Sequence, residues 1–208
     1  MLRRTRTTSG FLFLYSLNVF LSLQLFAAPF DELREGDVVF QISRSSQSQA
    51  IQLATGSKYS HVGIIFKRAG RWVVFEAVQP VRFVDLSQWI KNGERSHFVV
   101  KRYADGAPDA SQIAVMKKKA EAWAGRNYDG HFRWSDDRLY CSEVVWKLYD
   151  LVGLKTVPLK RFSDYDLKHP VVQQKMKQRY GGMPPLNELA VSPGDLFVSD
   201  RFRTVFER

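Results

Sequence analysis

Short runs of β-branched and aromatic residues recur along the chain and predict strands. "HVGIIF" and "WVVFEAV" lie on either side of a turn around Gly70 and therefore predict a hairpin. "FVVKRY" alternates in the same way, and "DLFVSD" near the end of the sequence is predicted as a late strand. These runs predict a largely antiparallel sheet.

Apolar residues spaced by three and four positions predict three helices. "SQSQAIQLATGS" predicts a short helix that ends at Gly56. "SQIAVMKKKAEAWAG" predicts an amphipathic helix that ends at Gly125. The residues predicted to face the core there are Ile113, Val115, Met116, Ala120 and Trp123.

The third predicted helix begins at Cys141 and runs for about ten to twelve residues, with Gly153 as its stop signal. Its predicted buried face contains Val144, Val145, Leu148, Leu151 and Val152. Periodicity is lost between Leu154 and Leu196, so this segment is predicted to be irregular. Long irregular segments often shape a cleft, which is the expectation here.

The N-terminal segment differs from the rest of the chain. "MLRRTRTTSG" is basic, "FLFLYSLNVFLSLQLFAA" is apolar, and Pro29 follows. This order predicts a signal peptide at residues 1–28, cleaved near Ala27 or Ala28, followed by one domain at 29–208. An uncleaved membrane anchor is the alternative, because the run is about long enough to span a bilayer. Either alternative implies export, in a bacterium to the periplasm.

Composition and charge exclude several function classes. A chain of 208 residues with 45% hydrophobic residues supports one core. The formal net charge of +10 is scattered rather than clustered, which indicates an ordinary basic surface and no nucleic-acid partner. The sequence contains no C-x-x-C, H-E-x-x-H, calcium-loop or phosphate-loop motif, so neither a metal nor another cofactor is expected.

Cys141 is the only cysteine in the sequence. An exported chain normally pairs its cysteines, so a single thiol is an intermolecular link, a buried inert residue or a reactive group. At the start of a helix, backbone N–H groups and the helix dipole stabilise a thiolate. This position is compatible with both a reactive and an inert thiol.

His61 and Glu76 are the candidate partners of that thiol. His61 opens the first strand of the hairpin, and the positions opposite it fall near 77–79, so Glu76 can approach its imidazole. A thiol, an imidazole and an orienting carboxylate form the arrangement of cysteine hydrolases. A surface role for Glu76 is the alternative. His97, before "FVVKRY", is predicted to be a surface or edge residue, and His169 shows no partner, whereas His131, in the loop before the cysteine helix, is a candidate to line a cleft.

Five segments in this order carry a family resemblance: "GDVVFQ", "YSHVGIIF", "FEAV", "YCSEVVWKLY" and "VSPGDLFVSDRF". From about Glu35 to Phe202 the chain resembles permuted papain-fold cysteine hydrolases of the YiiX/YaeF type, in the NlpC-like superfamily. The resemblance implies an α+β, circularly permuted papain-like fold with an antiparallel sheet packed against helices. Cys141 then resembles the nucleophile, His61 the general base and Glu76 the residue that orients His61.

The resemblance implies cleavage of an amide-type bond in a peptide, cell-wall peptide or aminoacyl conjugate through a thioester. The backbone N–H of Cys141 is a natural oxyanion donor, and Tyr59 or Tyr140 is a candidate for the second. Together with His131, these tyrosines are the candidate substrate-binding residues. A lipid-directed acyl hydrolase or acyltransferase and a non-enzymatic binding module remain alternatives, so the expected partner is a small peptide-like or lipid-like molecule at the cell envelope.

Overall fold

The computed structural model describes residues 30–182 and 184–208, so the predicted signal peptide at 1–28 lies outside the described residues. Arg34–Arg208 form one unit by their internal contacts, and this unit contains the sheet and helices. Among the described residues, no helix is long and apolar enough to cross a membrane.

The two strands of the predicted hairpin and the predicted "FVVKRY" strand join three further strands in an antiparallel sheet with the order β10-β5-β1-β2-β3-β4. Two further short strand pairs, β6 with β7 and β8 with β9, lie outside this sheet. The strands are β1 Val38–Gln41, β2 His61–Arg68, β3 Arg71–Glu76, β4 Arg82–Asp85, β5 Val99–Tyr103, β6 Asn127–Tyr128, β7 Arg138–Leu139, β8 Lys160–Arg161, β9 Leu189–Ala190 and β10 Phe202–Glu207.

The β2–β3 hairpin has the predicted register. Ile64 lies opposite Phe75, and continuing this antiparallel pairing places position 61 opposite position 78. The next pairing sets Glu76 opposite Arg82. The start of β2, the end of β3 and the start of β4 therefore meet at one edge of the sheet.

The predicted helices form, and the described residues contain further ones. They are α1 Ser48–Thr55, α2 Leu86–Asn92, α3 Ala110–Trp123, α4 Cys141–Leu151, α5 Pro170–Tyr180 and α6 Pro193–Val198. Val144, Val145 and Leu148 of α4 join Val62 and Ile64 of β2 in the core. The cysteine helix thus packs directly on the strand that begins with His61.

Two residues predicted to face the core are exposed instead. Leu151 is 47% exposed, because the buried face of α4 turns toward Tyr149, whose hydroxyl donates to the carbonyl of Gly36 at 2.6 Å. Val115 is 46% exposed. It lies two positions after Ile113, and two steps of about 100° place it on the opposite side of α3.

Two predictions for the C-terminal part were wrong. "DLFVSD" lies mostly in helix α6, because Ser192 caps the helix by accepting from the amide of Asp195 at 3.0 Å and Pro193 occupies its first turn. The strand begins only at Phe202. Within the stretch predicted to be irregular, α5 forms between a His169 cap and Gly181. The sequence of α5 is polar and shows little apolar periodicity, so the pattern did not predict this helix.

Candidate active site

Cys141 is the first residue of α4 and is only 5% exposed. The helix start is held on both sides of the thiol. Ser142 Oγ donates to the carbonyl of Val191 at 2.7 Å, and Glu143 Oε2 accepts from the amide of Tyr140 at 3.1 Å. Because the first-turn N–H groups of a helix lack intrahelical partners, this position presents donors beside the sulfur.

His61, Glu76 and Arg82 form a chain of polar contacts at the sheet edge. His61 Nε2 lies 2.7 Å from Glu76 Oε2, and Arg82 donates from Nε to the other oxygen, Oε1, at 3.0 Å. The ring of Trp89 stacks on the imidazole with 5.9 Å between centroids. Both oxygens of Glu76 are thus occupied, and the plane of His61 is set.

The imidazole lies close enough to Cys141 for the two side chains to interact, and it contacts Glu76 directly. Burial lowers the pKa of His61, but hydrogen bonding to Cys141 and Glu76, together with their negative charges, outweighs burial and raises it from 6.5 to about 10. For Glu76, burial raises the pKa, and the contacts with His61 and Arg82 lower it below its ordinary value. Since Nε2 faces Glu76, Nδ1 is the ring atom left for the thiol. This arrangement can hold a thiolate–imidazolium pair.

A mainly apolar cavity opens beside Cys141. It encloses about 740 Å³ of empty space, part of it open to solvent. Its walls include Ile51 and Ala54 of α1, Phe132, and Val172 and Met176 of α5. Such a surface favours an apolar group next to the sulfur.

A second, polar cavity opens on the His61 side and spans about 710 Å³, part of it open to solvent. Ser43, Ser45, Gln79 and Asn92 line it together with Arg82. The side chains of Tyr128 and Gln47 line both cavities, so they mark the boundary between them. The thiol and the imidazole therefore stand between an apolar and a polar compartment.

The three predicted substrate-binding residues have different surroundings. Tyr140 lines the apolar cavity, and its hydroxyl accepts from the amide of Val191 at 3.2 Å. Tyr59 is buried against Phe197, with 4.2 Å between ring centroids, and does not line either cavity. His131 packs on Tyr180 and is likewise absent from both linings.

Sequence reasoning missed Arg82, Tyr128 and Gln47. Arg82 had a usable signal, because a turn around Pro80 pairs it with Glu76 across β3 and β4. Tyr128 belongs to a two-residue strand inside a segment that reads as a loop, and Gln47 precedes a helix as an ordinary polar residue. No local pattern brings these last two side chains together.

The order of the parts along the chain defines the class of protein: the histidine and carboxylate of an antiparallel sheet precede a helix headed by a cysteine. Residues 32–206 match the family model described as "Permuted papain-like amidase enzyme, YaeF/YiiX, C92 family". The chain belongs to this family of permuted papain-like amidases.

Individual relatives agree with this assignment. The chain is 46% identical over 171 residues to an uncharacterized protein, YiiX, of Escherichia coli strain K12, and the match covers 82% of this chain and 84% of that one. The crystal structure of "metalloprotein yiiX" from Escherichia coli O157:H7 superposes with a TM-score of 0.81 and 45% sequence identity. That match covers 84% of this chain and 97% of the other. The α+β, permuted papain-like fold expected from the sequence is thereby confirmed.

Proposed function

We propose that the protein is an exported cysteine amidase in which Cys141 is the nucleophile, His61 the general acid and base, and Glu76 the orienting carboxylate. The observation that carries this proposal is that one imidazole contacts a buried carboxylate at 2.7 Å and interacts with the thiol. A histidine that merely filled space would not require both partners at a cavity wall.

The proposed reaction has two stages. The Cys141 thiolate attacks the substrate carbonyl carbon, a C–S bond forms, and the C=O electron pair moves onto oxygen. The tetrahedral intermediate collapses as the C–N bond breaks, and His61 gives its proton to the leaving amine. His61 then takes a proton from water, whose oxygen attacks the thioester and releases the acid and the thiolate.

The negative oxygen of the intermediate needs hydrogen-bond donors. In the proposed mechanism the backbone N–H of Cys141, at the start of α4, is one of them. Tyr128 supplies a better-placed second donor than Tyr59, because it lines both cavities and its pKa is raised by burial and by the Cys141 charge. A phenol with a raised pKa stays protonated and can donate.

The cavities support a particular orientation of substrate. The polar cavity contains His61, so it receives the amine that His61 protonates, whereas the acyl group lies on the Cys141 side. The apolar walls there favour a second candidate within the same chemistry, a hydrolase or acyltransferase acting on lipid-like acyl groups. Peptide-like substrates are the first candidate and require small or apolar acyl side chains.

The crystallised relative from Escherichia coli O157:H7 is described as a metalloprotein. Across residues 30–182 and 184–208 of this chain, no group of three or more His, Cys, Asp or Glu side chains is placed to hold a metal ion. These residues do not fit a resident metal, and no proposed step goes through one.

The N-terminal segment supports export to the periplasm as part of the proposal.

The test is acylation of the thiol by activated esters. Purified protein is mixed with p-nitrophenyl acetate, octanoate and decanoate and with N-acyl amino acids, and intact mass is followed alongside product release. We expect a transient acyl adduct that maps to Cys141 and is absent from the folded Cys141→Ala variant. If the wild-type protein forms no adduct and turns over none of these compounds, the proposal fails and a binding module is favoured.

A further inference from the structure

Tyr128 has one hydrogen bond whose direction decides what its proton can do. Gln47 Nε2 lies 2.9 Å from the phenol oxygen. A side-chain amide can donate through its nitrogen or accept through its oxygen, so the contact alone allows either direction. If Tyr128 donated to Gln47, its proton would be occupied and unavailable to a substrate.

Arg179 removes this ambiguity. Its Nη2 donates to Gln47 Oε1 at 2.5 Å. A guanidinium has only donors, so the amide oxygen must face Arg179 and the NH₂ group must face Tyr128. The phenol oxygen is therefore an acceptor toward Gln47. Within the described part of the chain, no group accepts the phenolic proton itself.

Arg179 lies near the C-terminal end of α5, and the loop that carries Phe132 holds its side chain in place. Its guanidinium lies over the ring of Phe132, 4.5 Å from the centroid. No carboxylate among residues 30–182 and 184–208 lies within ion-pair distance of Arg179. The neighbouring Tyr180 donates to the carbonyl of His131 at 2.8 Å, which ties the end of α5 to the loop that carries Phe132. The amide of Gln47 accepts a hydrogen bond from this cation, and the Tyr180 side chain is its other polar neighbour.

We propose that Arg179 and Gln47 are positioning residues that direct the hydroxyl proton of Tyr128 toward the oxyanion formed when Cys141 attacks a carbonyl. The inference rests on the proposed function. No proton changes owner in this step: the C–S bond forms, the C=O electron pair moves to oxygen, and Tyr128 and the Cys141 amide donate to it. Arg179 and Gln47 act only through Tyr128 and touch no reacting atom.

Gln47→Glu is the sharpest variant, because it keeps the shape and reverses the polarity. A carboxylate paired with Arg179 has a second oxygen that accepts the Tyr128 proton. Arg179→Met frees the amide to turn, and Arg179→Lys keeps a donor. Gln49→Glu is the matched control, because it makes the same charge change two residues further on, at an exposed position of the helix α1 that Gln47 precedes.

Two reagents separate oxyanion stabilisation from thiolate reactivity. p-Nitrophenyl acetate acylates Cys141 through a tetrahedral oxyanion, whereas iodoacetamide alkylates it by displacement of iodide without one. We expect Tyr128→Phe and Gln47→Glu to lower the acylation rate by roughly 10²-fold and Arg179→Met by roughly tenfold. Arg179→Lys should recover part of that loss, and alkylation should stay within about twofold throughout.

The outcomes are distinguishable. If wild-type Cys141 is not acylated, the proposed function fails. If it is acylated and Gln47→Glu acylates as fast as Gln49→Glu, only the positioning role is overturned. A parallel fall of acylation and alkylation also overturns it, because Gln47 would then act on the thiolate or on folding rather than on the oxyanion.

Discussion

The two sides of the candidate site are built in different ways. On the sheet side, His61, Glu76 and Arg82 come from three consecutive strands joined by short turns. On the helical side, Gln47, Tyr128, Cys141 and Arg179 come from four separate segments. The sheet side is thus set by local strand register, and the helical side by packing between distant parts of the chain.

The chemistry of the two sides differs as well. At the sheet edge, charges are paired and both oxygens of the Glu76 carboxylate have partners. Around the apolar cavity, hydrocarbon and aromatic side chains dominate, and Arg179 contacts an amide instead of an acid. We infer that the sheet side moves protons while the helical side holds the acyl group and stabilises charge on its carbonyl.

The largest effect should come from His61→Ala, which removes the cation from the sheet side. Without the imidazolium, the thiolate loses its partner, and acylation and alkylation of Cys141 at neutral pH should both fall by roughly 10²–10⁴-fold. Mass spectrometry of the modified cysteine measures both rates. His97→Ala, which changes a histidine beside Glu207, is the control and should react like the wild type.

Glu76→Gln tests the charge on the sheet side while keeping its shape. The raised pKa means that His61 stays protonated through neutral pH and loses its proton only as the pH rises through about 10. A neutral amide cannot stabilise that charge, so NMR titration should show the imidazole of the variant losing its proton at lower pH. Alkylation at neutral pH should fall once the pKa of His61 in the variant drops below the assay pH, by about tenfold for each further unit.

Arg82→Ala provides the contrasting comparison for that experiment. It leaves the carboxylate in place and removes a positive charge from its other oxygen, so the pKa of His61 should not fall, and because the arginine side chain is 45% exposed the change should be small. A larger effect from Arg82→Ala than from Glu76→Gln would contradict the assignment of Glu76 as the direct partner.

Ala54→Phe tests the helical side by filling part of the apolar cavity. Acylation by p-nitrophenyl decanoate should fall by about tenfold or more relative to acetate, because a long chain loses its space and a short one does not. Ala110→Phe, at the exposed start of α3, is the matched control. An equal fall for acetate and decanoate would show that the acyl chain does not occupy this cavity.

Glu143→Gln should have the smallest effect on activity. Its main effect should be on the pH dependence of the free energy of unfolding. Burial raises the pKa of Glu143 to about 7, with Lys147 opposing, so the folded protein takes up a proton there more readily than the unfolded chain. This contribution to stability is complete below pH 4.5 and is lost as the pH rises to about 7. Urea denaturation at several pH values should show that the free energy of unfolding depends less on pH in the variant than in the wild type. The change in this free energy between low and neutral pH should be smaller in the variant by on the order of 1–3 kcal/mol. An unchanged pH dependence would contradict the raised pKa.

Much of the sheet side followed from sequence patterns. The β-branched runs around Gly70 specified the hairpin, and its register brought Glu76 to His61 within 2.7 Å. The same patterns misplaced Leu151 and Val115, since apolar spacing indicates a face without giving its centre. They also misread α6 as a strand, where the Ser-Pro start signal outweighed the apolar content.

The sequence alone determined the β2–β3 hairpin, the strand β5, the cysteine at a helix start and the order of the candidate triad, because strand period, helix caps and short turns are local properties. Only the tertiary structure decided that Cys141 meets His61, that Tyr128 separates two cavities, and that Arg179 orients Gln47. These contacts join segments far apart in the chain, and their geometry depends on the packing of α1, α4 and α5. No periodicity within a single segment encodes such packing.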